Sequence, residues 1–133
     1  MEISSAKVPI VLDSSVWIAY LHKEDSQHTK ARAVVGELVE PIAVPAEVLN
    51  EVATTLKNKE KADLAKGFVH QVISDGSSLR VSDENTIRSA AETFVARTDK
   101  LSFTDTLLLI CAKSYRVITF DHNLQKAIEQ AEM

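Results

Sequence analysis

The chain has 133 residues, enough for one domain with its own hydrophobic core and too few for two ordinary ones. Hydrophobic residues at 45% and charged residues at 26% exclude disordered and fibrous classes. The formal net charge of -4 excludes a bulk electrostatic nucleic-acid binder, but not a nuclease, whose site is itself acidic and whose phosphate contacts need only a local basic patch.

The start MEISSAKVPIVL has no basic region followed by a long apolar one, and no apolar run reaches membrane-spanning length, so a cytoplasmic protein is expected. Residues 10–13 read as a short apolar strand entered through Pro9, and Ser14 and Ser15 can cap a helix over 16–21. Ala31, Val34, Val35, Leu38 and Val39 recur at helical spacing until Pro41 stops that helix. A second strand, 42–44, leads through Pro45 into a helix with the stripe Val48, Leu49, Val52, Ala53 and Leu56. A further helix is expected from about 60 to 73, then a turn at Asp75-Gly76-Ser77 and a third strand over 79–81. Ser82 or Asp83 can cap the next helix, which carries Ile87, Ala90, Ala91, Phe94 and Val95. From Phe103 to Ala112 nearly every residue is apolar, so that helix should be buried almost all round with its polar groups in the first turn. A fourth strand over 116–120 ends on Asp121, and a last helix runs from about 124 to 132.

Strands separated by helices imply a doubly wound parallel sheet with right-handed crossovers and helices on both faces, in one domain over 1–133. If strands two and three wind outward from strand one and strand four docks on its other side, the order is 3-2-1-4. The ligand crevice then opens between the carboxyl ends of strands one and four, where Asp13 and Asp121 stand. Asp105, at the start of the apolar helix, can point into the same crevice. The helix after strand two supplies a fourth acid. At about 100° per residue Glu47 points almost opposite the apolar stripe, whereas Glu51 lies nearer its border, so Glu51 is the candidate and Glu47 a solvated residue. Carboxylates converging on one crevice repel one another unless a cation compensates them, and Mg²⁺ or Mn²⁺ suits carboxylate oxygens and water.

Each acid also has a plainer reading. Asp13 and Asp121 can be helix caps, and Asp105 completes a Ser102-x-x-Asp capping-box pattern. Lys57, Lys59 and Lys61, with Lys66, form a basic run that can grip RNA phosphate or simply face solvent. Cys111, the lone cysteine, reads as core filler, and His22, His28, His70 and His122 lack zinc-ligand spacing.

Together these stretches resemble the PIN domain family, and within it the small VapC toxins of VapBC toxin–antitoxin pairs. IVLDSSVWIAYL is similar to the first family motif, with Asp13 and the hydroxyls of Ser14 and Ser15. PAEVLNEVATTLKN is similar to the second, with Glu51; LSFTDTLLLICAK to the third, with Thr104 and Asp105; and VITFDHNL to the fourth, with Thr119 before Asp121. The resemblance implies a PIN-like sheet and an endoribonuclease in which Asp13, Glu51, Asp105 and Asp121 hold Mg²⁺ or Mn²⁺ and metal-activated water cleaves RNA. Ser14, Ser15, Thr104 and Thr119 would support the acids. It also implies a cognate small antitoxin that pushes a basic side chain toward the acids. Family members commonly carry another short strand after the fourth motif, so a further edge strand stays open. So do a PIN-domain RNA-processing nuclease that is not a toxin, a non-catalytic PIN-like binding module and, from the sheet type alone, a phosphotransfer domain of receiver or haloacid-dehalogenase type. A homodimer is expected because the stripes of the helices over 29–39 and 46–56 look too broad for one short sheet to cover.

Overall fold

The computed structural model describes residues 8–133; residues 1–7, part of the start read above as lacking a leader, lie outside the described residues. Eleven elements follow one another: β1 (Ile10–Leu12), α1 (Ser14–Leu21), α2 (His28–Gly36), β2 (Ile42–Pro45), α3 (Ala46–Asn58), α4 (Ala62–Ser74), β3 (Leu79–Arg80), α5 (Glu84–Ala96), α6 (Phe103–Cys111), β4 (Arg116–Ile118) and α7 (His122–Ala131). All strand pairs are parallel, in the order β3-β2-β1-β4 expected if strands two and three wind outward from strand one. Val11 faces Ala43 on one side and Val117 on the other, which places β1 at the centre of the sheet. Among the described residues these four strands make up the sheet, and no further edge strand follows the fourth motif. No helix among the described residues is long and apolar enough to cross a membrane.

Side chains alternate across a strand, so β1 serves two apolar clusters. Val11 joins a large one with Val48, Val52 and Leu56 of α3, Phe68 of α4, Leu108 of α6 and Leu124 of α7. Ile10 and Leu12 pack with Val16 and, at the margin, with Val35, Leu38, Ile118 and Phe120. Helices therefore cover both faces.

Several elements differ from their sequence patterns. Helix α1 begins at Ser14, with Asp13 as its N-cap residue, so Ser14 and Ser15 lie inside the helix rather than capping it. Helix α2 ends at Gly36, and Val39 is left 74% exposed. Strand β4 stops at Ile118, which frees Thr119 and Phe120 to form a turn before α7. The stripe of α3 is not left uncovered: Val48, Val52 and Leu56 are each 0% exposed beneath neighbouring helices. Uncovered apolar surface lies instead on α5, at Ile87, Phe94 and Val95, and at Phe103 of α6, whose ring meets that of Phe94 edge-on at 5.7 Å. The physical motive for a dimer through α3 is thereby removed, because its stripe finds partners within the chain.

Candidate active site

Asp13 directly follows β1 and is only 3% exposed. It stands at the N-cap of α1, yet its side chain makes no capping hydrogen bond. Its Oδ2 instead accepts from Ser15 Oγ at 2.8 Å and from Thr119 Oγ1 at 2.8 Å, the latter 106 positions away in the chain. Each hydroxyl in turn accepts from the turn after β4: Phe120 N–H donates to Ser15 Oγ and Asp121 N–H to Thr119 Oγ1. Two short relays thus tie the ends of β1 and β4 together and fix the Asp13 carboxylate. Its other oxygen, Oδ1, is buried with no hydrogen-bond partner among the described residues. A buried, unpartnered carboxylate oxygen is costly, and a cation or a bound water would relieve that cost.

The plainer cap readings hold for the other two aspartates. Asp121 Oδ1 accepts from Leu124 N–H at 2.9 Å and caps α7. Asp105 forms a full capping box with Ser102 at the start of α6. Burial pushes the Asp105 carboxyl above its ordinary value, and the charges of Asp13 and Asp121 add to that rise against the lowering effect of the Ser102 bonds. The charges of Asp13 and Asp121 thus reach Asp105 from across the carboxyl ends of β1 and β4.

Glu51 is half-buried and lines an adjoining cavity of about 280 Å³ with Asn50, Thr54, Thr55 and Thr104. Thr55 also lines a second cleft, of about 410 Å³, with Ser15, Phe120 and Asp121, so the two openings share this wall residue. Glu47 lines the Glu51 cavity too, and it is not a solvated residue: its Oε1 is buried without a partner. Burial, with the Glu47 charge added, pushes the Cys111 thiol up to about 11. Helical periodicity misplaced Glu47 because it measures angle from the apolar stripe and takes no account of distant residues such as Thr104, which shares its cavity, and Cys111, which feels its charge. Among the described residues no three carboxylate, imidazole or thiol groups stand close enough together to form a ready-made metal cage.

The supporting residues divide. Ser15 and Thr119 hold Asp13, Thr104 faces the Glu51 cavity, and the Ser14 hydroxyl makes no hydrogen bond among the described residues. The basic run divides as well. Lys59 lines the cleft beside Asp121, Lys57 lines a groove between α3 and α4, and Lys61 pairs with Glu24 at 3.4 Å. A cation that sequence reasoning missed is Lys30 of α2, whose Nζ lies 4.6 Å from the centroid of the Phe120 ring. No local signal links two residues so far apart.

Residues 10–129 match the PIN domain family. No curated protein sequence matches the chain. Among solved structures the chain is similar to Mycobacterium tuberculosis VapC20, described as a toxin that cleaves the sarcin-ricin loop, with 20% identity and a TM-score of 0.81 over 89% of this chain and 94% of that one. At that identity the likeness shows the fold. Because the family match spans nearly the whole described chain and the sheet follows the same plan, this chain belongs to the PIN domain family, a family of nucleases.

Proposed function

We propose that the chain is an endoribonuclease dependent on Mg²⁺ or Mn²⁺ and the toxin of a toxin–antitoxin pair. The observation that carries the reading is the Asp13 carboxylate, drawn away from its capping role by Ser15 and Thr119 and left with a buried, unpartnered Oδ1 in a crevice where Asp105 feels the charges of Asp13 and Asp121. That donor set fits a hard cation, since hard cations take carboxylate oxygens and relieve this repulsion. Asp13, Asp105 and Asp121 would hold it, with Glu51 reaching in from α3. A bound divalent cation supplies Lewis-acid polarisation of a phosphoryl oxygen and a water of lowered pKa. The chain's own part is orientation: the hydroxyl relays hold Asp13, and the two caps hold Asp105 and Asp121 on rigid helix ends.

VapC20 is a toxin that cleaves the sarcin-ricin loop, which supports the toxin reading and an RNA substrate. The partner expected is a small antitoxin with a basic side chain, best an arginine, that pairs with the acids in place of the cation. A homodimer is also proposed, now through the apolar surface of α5 and Phe103.

Purified protein should cleave cellular RNA with Mg²⁺ or Mn²⁺ and stop in EDTA. Asp13→Asn should stay folded and lose more than the roughly 10–100-fold typical of an outer-shell partner. Equal cleavage in EDTA sinks the metal mechanism, and cleavage of DNA with none of RNA sinks the substrate class.

A further inference from the structure

On the nuclease reading the acids at the carboxyl ends of β1 and β4 repel an incoming polyanion, and a cation held there offsets only the charge at the reacting phosphate. Neighbouring phosphates need cations of their own. The cleft beside Asp121 has one in its wall. Lys59 lines it together with Ser15, Thr55, Phe120 and Asp121 and makes no ion pair among the described residues. Asp25 lines it too, but its Oδ1 is engaged by Gln27 N–H at 2.8 Å.

The placement of Lys59 is set by the backbone after it. Glu60 has φ 61°, in the left-handed region that favours glycine. Glu60 N–H donates to Lys57 O at 3.0 Å and Lys61 N–H to Leu56 O at 2.8 Å, which closes α3 in the pattern of a Schellman motif with glutamate in the usual glycine position. Strain of this kind persists where its surroundings demand the conformation, and here it ends α3 with Lys59 at the C-cap, in the wall of the cleft.

A second ammonium lies against Phe120, which lines the same cleft. Lys30 Nζ sits over the Phe120 ring, attracted by its quadrupole. Phe120 is itself anchored against the Ile10, Leu12 and Val16 cluster, and its backbone N–H bonds Ser15 Oγ, so the ring cannot follow the lysine away from the cleft.

We infer that Lys59 and Lys30 form a two-point clamp for the RNA phosphates flanking the scissile one, with Phe120 as the positioning residue that holds Lys30. The inference rests on the nuclease reading above and deepens it. Lysines that meet phosphates carry no base information, so the clamp sets register and affinity while leaving sequence choice to other groups.

The test is binding of single-stranded RNA by the Asp13→Asn chain with Mg²⁺ over a series of salt concentrations, read by fluorescence anisotropy. Adding Lys59→Ala or Lys30→Ala should each lower the slope of log K against log salt by about 0.7 and weaken RNAs of different sequence equally. In the chain with Asp13 intact, the same changes should raise KM and spare kcat. Phe120→Leu should reproduce Lys30→Ala, while Lys30→Arg should keep the parent's slope, because a guanidinium also stacks on the ring. Lys113→Ala, in the α6–β4 turn at the opposite end of the sheet, should change nothing. Lysine variants that keep the parent's affinity and slope overturn the clamp, as does an absence of any RNA binding. A chain that cleaves no RNA with any divalent ion instead overturns the nuclease reading, and the binding slopes still decide the clamp.

Discussion

Asp13 and Asp83 occupy matching positions in the two halves of the sheet, each the N-cap residue of a helix that follows a strand, and they do opposite things. Asp83, after β3, accepts from Thr86 N–H at 2.8 Å, and that bond holds its carboxyl below the ordinary value. Asp13, after β1, leaves the first turn of α1 unbonded and turns to Ser15 and Thr119. The difference lies in the neighbours. Strand β3 is at the sheet edge, where Arg80 folds back on the carbonyls of Ser77 and Leu79, so nothing competes for Asp83. Strand β1 meets β4 where the winding reverses, and the turn after β4 brings the Thr119 hydroxyl against Asp13. A strand-end aspartate becomes available for chemistry only where tertiary neighbours outbid the helix for it.

Breaking the β1/β4 half, or the α3 acid that reaches toward it, should abolish function, whereas breaking the cap after β3 should touch stability alone. The largest effect is expected in α3, which carries acids from the β2 side toward the crevice. Glu51→Gln should remove RNA cleavage and Glu47→Gln should largely spare it; the reverse result would move the site by one helical turn. Glu47→Gln has its own readout at Cys111, whose thiol is raised to about 11 by burial and by Glu47. A folded thiol that keeps its proton above the ordinary value contributes stability that is present below that value and is lost as pH rises toward about 11. Removing the Glu47 charge should lower the Cys111 pKa and quicken its reaction with a thiol reagent at alkaline pH, and an unchanged rate would separate the two residues.

Thr119→Val comes next. It keeps shape but deletes the donor to Asp13 and the acceptor for Asp121 N–H. Loss of about 1–3 kcal/mol in urea unfolding is expected, with cleavage down roughly 10–100-fold. A variant with full activity would mean that the relay between β1 and β4 is not what positions Asp13. The smallest effect belongs to Asp83→Ala: a modest fall in melting temperature from the lost cap, and cleavage at the parent rate. Any marked loss of cleavage there would undo the contrast between the two halves.

Much of the fold was legible because it depends on local pattern. Apolar runs alternating with helical stripes imply a parallel sheet, the order β3-β2-β1-β4 is the one expected when strands two and three wind outward and strand four docks on the other side of strand one, and Asp13 and Asp121 follow at the carboxyl ends of adjacent strands. The capping box at Asp105 was legible too, since Ser102 and Asp105 stand three positions apart at the start of α6. Other features required the packed chain. Periodicity marked Glu47 as solvated, yet its Oε1 is buried and its charge acts on Cys111 of α6. It treated Lys57, Lys59 and Lys61 as one run, although they face three different surroundings. It left the α3 stripe uncovered, whereas the exposed apolar surface is on α5. Spacing along a chain determines which side of its own element a residue takes. Which donor, ring or charge then stands opposite depends on residues as distant as Thr119 from Asp13, and only the closing of β4 against β1 brings those together.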